Sequence, residues 1–509
     1  MIQKRAKQIT SLLLACLLAL TGCGAGENSL PEMPPADQGD SGGPETSAVE
    51  REYILLPYDA DGGMNPYTTQ SQQNFHLCGL LYDPLAAISP TYGAENRLAA
   101  EITLEGATCT VRLREDARFW DNTPVTAADA AYSLSLAMQS GYYGAGLGAV
   151  ASFAADPADS RSLVIQLSRP DRFFASSLVF PIVKSETGGD ALPIGSGRYV
   201  ADFTALRLTP NPGHFDGGEG KPFHLVEVTD NEALNYGVKA GTIDYLFTDM
   251  RASWNKSYGS SYRIVQLNNM VYLGLNGTGG PTALPALRSV LYEALQRHDV
   301  AEKVYMGFAV PAYLPVNPAF VQAPYSAPAP LSSTELLGDK LDEMGYEGRD
   351  SFGYRTDRFG RRLSLRLLLN SESSYKEELA RLLVQSCDQL GVEVAVQRSS
   401  YRDYLQKLAE GSYDLYIGEV KLPYNMDSTE MLAGVGQTGY GIVSSPELQQ
   451  AYADFRQQGE AFETFAQLFL QEAPFVPLVF RRGVVLFSAN FSSNIVATEQ
   501  DIFYNIKDW

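Results

Sequence analysis

Residues 119–134 limit this chain's fold more than any other stretch: Phe-Trp-Asp-Asn-Thr-Pro-Val-Thr-Ala-Ala-Asp-Ala-Ala-Tyr-Ser-Leu. Asp121-Asn122-Thr123-Pro124 is turn chemistry, because Asp and Asn side chains bond their own backbone and Pro presets φ. Asn122 also tolerates the left-handed region. Thr126 fits a helix N-cap. Asp129, three residues on, takes the acidic place of a capping box, where a carboxylate suits the positive helix end. Good helix formers continue to Met138. Before the turn, residues 108–113 alternate as a strand does. The unit reads as strand, turn, capped helix.

The start of the chain has the order of an export signal. Lys4, Arg5 and Lys7 precede an apolar run from Ile9 to Leu20, broken only by Thr10 and Ser11. That run is shorter than the roughly 20 apolar residues of a membrane span. Leu20-Thr21-Gly22-Cys23 follows. Small residues before a cleaved bond and a thiol after it are what lipid attachment needs. Residues 1–22 are therefore expected to be a lipoprotein signal peptide and Cys23 the lipidated residue. Such lipid anchors the chain to a membrane without spanning it. The plainer alternative is a secretory signal with an incidental Cys. Residues 27–50 are Pro, Gly, Ser, Asp and Glu with almost no apolar content. Residues 23–50 are thus expected to be a flexible tether.

The remainder is about three domains' worth of chain. A hydrophobic content of 45% suits a globular fold. Loss of Lys4, Arg5 and Lys7 with the leader takes the formal charge from −20 to −23. Such a chain repels nucleic acid and anionic surfaces, but this says little about a ligand's charge. Cys78, Cys109 and Cys387 lie at wide, unpatterned spacing, which favours buried free thiols over a disulfide framework or metal motif. His76, His214, His224 and His298 have no partners at metal-ligand spacing, so no metal or cofactor is expected. Gly195 and Gly197 lack the Lys-Ser/Thr and the helix of a phosphate loop. No nucleophile elbow is present. A carboxylate pair drawn from distant positions is invisible to this reading, but nothing points to an enzyme.

Further elements follow from periodicity and punctuation. Strands are expected at 53–56, 162–168, 206–209, 271–276 and 413–417, and helices at 74–83, 287–295 and 401–410. Residues 363–369 read as a strand. Ser374 and Glu377 suggest a capping box opening a helix that runs to Leu390, with Gly391 just past its end. Val392, Val394 and Val396 alternate next. This β-α-β unit implies a right-handed crossover.

Several of these segments share wording with one family. They are the Asp121–Ser133 segment; Leu81-Tyr82-Asp83-Pro84-Leu85; Pro193-Ile194-Gly195-Ser196-Gly197-Arg198-Tyr199; Asn211-Pro212-Gly213-His214-Phe215; Gly241-Thr242-Ile243-Asp244; the block from Leu287 to Pro315; and Ala473-Pro474-Phe475-Val476-Pro477-Leu478. Together they resemble the peptide/nickel family of bacterial extracytoplasmic solute-binding proteins, over nearly all of 51–509. Asn122 stands where Gly is usual in that family. The resemblance implies an α/β, two-lobed periplasmic-binding-protein type II fold with an extra domain and a hinge between lobes. Domain I would be discontinuous (51–90, 180–262 and 478–509), with domain II at 91–179 and domain III at 263–477. Crossings between lobes would lie near 262–266 and 477–481.

What the resemblance implies about function is binding. In the oligopeptide binders an Asp, in the loop after a Gly-Trp strand end, holds the ligand's amine. Here that loop is 418–427: Glu419 replaces the Trp and Pro423 the Asp, so the usual amine anchor is missing. Glu419 could replace it, Lys421 could favour an acidic ligand, or both are rim charges. Tyr424 and Asn425 belong to the same loop. Other wall positions carry over: Gln70, Ser71 and Gln72 in a domain-I loop, Asn269, Met270 and Tyr272 on the strand after the first crossing, and Tyr401. Arg481, after the second crossing, could clamp a carboxylate or phosphate. Surface or core packing is the alternative for each, and Trp254 is either a lid aromatic or packing. The implied function is a monomeric, lipid-anchored receptor on the extracytoplasmic face. It would capture a peptide or small polar solute for an ABC permease, with no nucleic-acid partner. A sensing receptor without transport is the alternative; an exported hydrolase has no motif behind it.

Overall fold

A computed structural model describes residues 51–228, 231–249, 261–323, 332–458, 461–489 and 494–509. Trp254, Cys23, the leader and the tether lie outside the described residues. The fold is mixed α/β and is built around three sheets.

The first sheet has the order Ile54–Tyr58, Phe223–Glu227, Arg207–Pro210, Tyr199–Asp202, with the first pair parallel. The second is antiparallel: Ala99–Glu105, Thr108–Leu113, Ser162–Leu167, Val150–Ala155. Against it packs the helix Ala127–Gln139. Thr126 and Asp129 form the expected capping box at its start, each side chain accepting from the other's backbone N–H, and Asn122 has a φ of 66°.

The third sheet contains the two longest strands, Ser261–Leu275 and Phe475–Phe487, side by side and antiparallel. At one end Tyr245–Thr248 flanks them. At the other, Leu415–Lys421, Ser364–Asn370 and Glu393–Ser399 continue the sheet. The last two are parallel and joined by the helix Ser374–Leu390, the predicted β-α-β unit, with Gly391 left-handed at its end. The capping box expected there does not form. Ser374 lies inside the helix, Ser373 precedes it without a side-chain cap bond, and the Glu377 carboxylate is taken by Arg398 at 3.0 Å. A tertiary ion pair has won over a local one.

Buried apolar residues fall into separate clusters. One joins Leu77, Leu81, Val183, Tyr199, Leu225, Val265, Leu267, Val485 and Phe503. A second lies between Leu85 and Ile182. The largest takes Met270 to Leu275, Leu365 to Leu369 and Phe475 to Phe480. The long strands therefore leave one core and enter another between Leu267 and Met270, and between Phe480 and Val485.

Polar side chains tie the distant segments of the first core. Buried Arg198 donates to the carbonyls of Gly79 and Phe503 and to Asp501 at 2.8 Å. Asp244 accepts from the N–H of Leu55 and the hydroxyl of Ser488. Gly195 and Gly197 let this turn lie against the end of the first helix. A Cβ on Gly197 would sit 2.2 Å from the Leu81 carbonyl carbon, and Gly197 N–H donates to the Leu81 oxygen at 2.9 Å. Close backbone approach, not phosphate, explains these glycines. Cys78, Cys109 and Cys387 are free and buried.

Asp83 is 2% exposed and bonds the His214 ring at 3.0 Å, with Ser196 donating at 3.4 Å. Burial pushes its carboxyl up, but His214, Arg97 and Arg198 outweigh that and hold it below the usual carboxylate range. Removing one member of a buried polar pair costs about 3–5 kcal/mol. We expect Asp83→Ala to lower the urea midpoint by a corresponding amount at pH 7. Because the folded carboxyl is the stronger acid, this contribution is present above its ordinary pKa and fades as pH falls below it. An unfolding free energy within about 0.5 kcal/mol of wild type would refute the bond's role.

Candidate functional site

Where the long strands pass between cores, their register breaks between Gln266 and Met270, opposite Phe480 to Arg482. Asn268 sits in the break and is fully buried. Its N–H donates to Glu499 at 2.8 Å, and its amide donates to the carbonyls of Leu422 and Pro423 at 2.9 and 3.0 Å. Asn317 donates to its side-chain oxygen. The bulge thus fixes both the start of the loop after Leu415–Lys421 and the C-terminal segment. Two polar clusters lie on either side of it.

The first cluster centres on Lys421. Its ammonium lies 2.9 Å from Glu499 and 3.2 Å from the Tyr142 hydroxyl, and 4.6 Å from the Tyr142 ring centroid. Tyr142 also bonds the Tyr424 hydroxyl at 3.3 Å and packs on Phe75 at 4.5 Å. Burial works against the Lys421 charge, but Glu499 and Tyr142 more than offset it and raise its pKa. Beside them stands His76, between Phe75 and Phe247, with no partner for its buried Nε2 among the described residues. Burial, then Lys421, lowers its pKa to about 3. A small pocket borders His76, Phe75, Tyr143 and Gln500.

The second cluster centres on Arg481, whose guanidinium is 2.9 Å from Glu419 and 2.7 Å from the Asp249 carbonyl. Asn269 donates to the same Glu419 oxygen at 3.2 Å. Tyr305 and Tyr375 stack beside the pair, ring centroids 5.2 Å apart. Burial raises the Glu419 pKa, but Arg481 and Lys376 overcome it and bring it below the usual range. The residues that border the pocket at His76 do not include Arg481 or Glu419.

The other sequence-predicted residues are more scattered. Ser71 caps the helix Gln72–Leu81, accepting from the Asn74 N–H, and is nearly buried. Gln70 and Gln72 are exposed, and the Gln70 amide donates to the Thr68 carbonyl. Among the described residues no hydrogen bond joins these three to 419–427; Tyr142 meets that loop instead. Met270 is fully buried, and Tyr272 is buried with its hydroxyl 3.5 Å from that of Tyr416. Tyr401 is half-buried against Tyr404. Asn425 is 1% exposed and donates to Asp171, which also pairs with Arg456 at 2.6 Å. Sequence reasoning missed Phe75, His76, Tyr142, Asn268, Lys376 and Glu499. Phe75 and His76 follow the loop that was singled out and could have been included. The rest come from segments far apart in the chain.

Against known proteins, residues 93–441 match the family model described as bacterial extracellular solute-binding proteins, family 5 Middle. The protein XP55 of Streptomyces lividans is 27% identical over 345 residues, 63% of this chain and 62% of that protein. The periplasmic murein peptide-binding protein MppA of Escherichia coli is 23% identical over 416 residues, 72% of this chain and 76% of the relative. The unliganded open form of MppA superposes with a TM-score of 0.72 at 19% identity, covering 87% of this chain and 94% of that one. A nickel ABC transporter structure from Bacillus halodurans gives 0.73 at 17%, covering 88% and 97%. These likenesses show the two-lobed type II fold that the sequence motifs implied.

His76 yields a test of this geometry. Its folded pKa of about 3 lies below the ordinary 6.5. The neutral ring is therefore favoured by folding, and its contribution is present above pH 6.5 and lost as pH falls towards 3. The loss approaches 1.4 kcal/mol per pH unit, roughly, within that window. His76→Phe should lose less stability than wild type between pH 7 and pH 4 in chemical denaturation. Parallel pH profiles would show that the ring is not shielded as described.

Proposed function

The chain belongs to the bacterial extracellular solute-binding proteins of family 5. From that premise we propose that it captures a peptide or similar small polar solute between its lobes and delivers it to an ABC permease. The observation that carries this reading is the meeting of Lys421, Tyr142 and Glu499 at the register break. Three segments remote in sequence there bring a cation, a phenol and a carboxylate together where the cores adjoin. Such convergence of a few polar groups with aromatic walls suits a ligand site. The likeness to a murein peptide-binding protein and to a nickel ABC transporter supports solute capture.

The proposed arrangement has domain I assembled from 51–90, 180–262 and 478–509, domain II from 91–179 and domain III from 263–477. The three buried clusters support it. The ligand-facing set would be Asn269, Glu419, Lys421, Tyr424 and Arg481, with Gln70, Gln72 and Tyr401 at the rim. Ser71, Met270, Tyr272 and Asn425 would support it from beneath.

Native mass spectrometry of the protein purified without denaturant tests the function. We expect a bound small molecule that is lost on unfolding. Apo protein that also gives no calorimetric signal with a library of small peptides and polar solutes would overturn the reading.

We also propose that Cys23 carries lipid and holds the protein on the outer face of the cell membrane. The basic, apolar and small-residue order of 1–23 supports this. Cys23→Ser should accumulate unprocessed precursor and lose fatty-acid labelling; normal labelling would refute it.

A further inference from the structure

Among the described residues, the two most exposed large apolar side chains are Phe352 and Phe359, at 79% and 68%. They hold equivalent places in two copies of one turn, Asp350-Ser351-Phe352-Gly353-Tyr354 and Asp357-Arg358-Phe359-Gly360-Arg361. In each copy the Asp carboxylate accepts from the N–H of the Phe and of the residue two further on, at 2.8–3.1 Å. The Gly N–H donates to the Asp carbonyl, and the Gly is left-handed, with φ of 87° and 76°. The turns lie at the two ends of the short strand Arg355–Thr356, which pairs with Gly348–Arg349 and bridges Arg362. Buried Arg355 anchors the unit, its N–H donating to the Gly391 carbonyl and its guanidinium to that of Leu390, at the end of Ser374–Leu390. Asp and Gly make these turns, and neither turn needs its Phe. Two rings held out on rigid tips are therefore not a by-product of packing.

The charge around them is the opposite of the chain's. Residues 349–362 contain five Arg and two Asp, a net of +3, in a chain of formal charge −20. Both Asp are taken up by the turns and by Arg361 and Arg362. Arg362 also pairs with Glu393, and Arg355 with Asp342. Arg349 and Arg358 are exposed and have no carboxylate partner among the described residues; Arg349 donates to the Gly353 carbonyl. Arg358 and Arg361 lie over the Phe359 ring at 4.7 and 5.2 Å, and Arg362 over that of Phe352 at 5.4 Å.

We propose that these turns dock on an anionic phospholipid surface, the two phenylalanines entering the headgroup boundary while the arginines bind phosphates. Guanidinium groups match phosphate oxygens two at a time, and aromatic side chains among basic ones suit the edge of a bilayer. Elsewhere the acidic chain is repelled by such a surface, so this patch sets one orientation on it. The patch precedes Ser364–Asn370, whereas Tyr375 of the Arg481 cluster follows that strand, about 20 Å further on. Contact with lipid thus leaves that cluster at the far end of the strand, and the inference stands apart from the solute-binding reading.

The test is cosedimentation with vesicles, using the protein expressed without residues 1–23 so that no leader or attached lipid contributes. One set of vesicles is phosphatidylcholine alone and the other an equal mixture with phosphatidylglycerol. We expect at least tenfold stronger binding to the mixed vesicles at low salt, weakening as salt is raised. Phe352→Ser with Phe359→Ser, and separately Arg349→Gln with Arg358→Gln, should each weaken it at least fivefold while keeping the wild-type urea midpoint. Phe359→Trp should keep binding and shift its emission to the blue on mixed vesicles. Val321→Ser, which removes another exposed apolar side chain, should change nothing. Equal binding to both vesicles, no binding to either, or full binding by either paired variant would overturn the inference. Absence of vesicle binding together with self-association that the paired Phe variant abolishes would assign the turns to a second copy of the chain instead.

Discussion

Everything else in this molecule is arranged around two strands that run together from one core into another. Ser261–Leu275 and Phe475–Phe487 pair antiparallel over most of their length. At about 3.3 Å per residue, the longer spans roughly 50 Å. A strand that long must bury different neighbours at its two ends. Here Val265 and Leu267 belong to one core and Met270 onward to another. Side chains alternate with a period of two, so a slip in register changes which face each residue presents. The break between Gln266 and Met270 does this where the cores change. It also leaves backbone groups unpaired, and Asn268 uses its own surroundings to satisfy them, binding Glu499, Leu422 and Pro423 at once. The polar seam is thus a consequence of how the sheet solves its own junction.

The segments whose wording is most distinctive do not line that seam. Asp83, Ser196 and His214 come from three such segments and meet each other in the interior. Arg198, from the same segment as Ser196, and Asp244, from a fourth, lock the ends of the chain to its middle. Gly195 and Gly197 let backbones touch. A core gathered from segments far apart in the chain needs such ties, because those segments have no covalent continuity to align them. Long apolar strands and helices can be exchanged for similar ones, whereas these contacts need particular atoms at particular places.

That difference explains what could be read from the sequence. The capping box of Thr126 and Asp129, the helix Tyr401–Glu410 and the strand Thr108–Leu113 are set by residues within a few positions of each other. They were legible to the residue. Ser374 with Glu377 presented the same local signal, but Arg398 lies across the adjoining strand and takes the carboxylate. Local chemistry offers two bonds and the fold chooses one. Glu419 and Arg481 were each legible as charges of interest; that they neutralise one another was not. Lys421 and Tyr142 are 279 residues apart, and no pattern along the chain announces their meeting.

The buried charges beyond Lys421 show what the loop itself requires. Asp171 and Arg456 are both almost wholly inaccessible, and Asn425 and Asp427 complete the group with Arg169. Burial of such a pair is rarely a gain over well-packed apolar residues of the same size, because desolvation consumes much of the attraction. Its value here is directional. Arg456 donates to the Asn425 carbonyl, Asn425 donates to Asp171, and Asp427 accepts from Thr429. Each bond sets an orientation that an apolar contact would leave free. The segment after Lys421 turns through Met426 at a φ of 56°, a conformation that a β-carbon disfavours. The ion network and the two bonds from Asn268 hold it there from opposite ends. Tyr424 projects from between these fixed points and Lys421 immediately precedes them, so the placing of the seam's cation leans on the buried pair Asp171–Arg456.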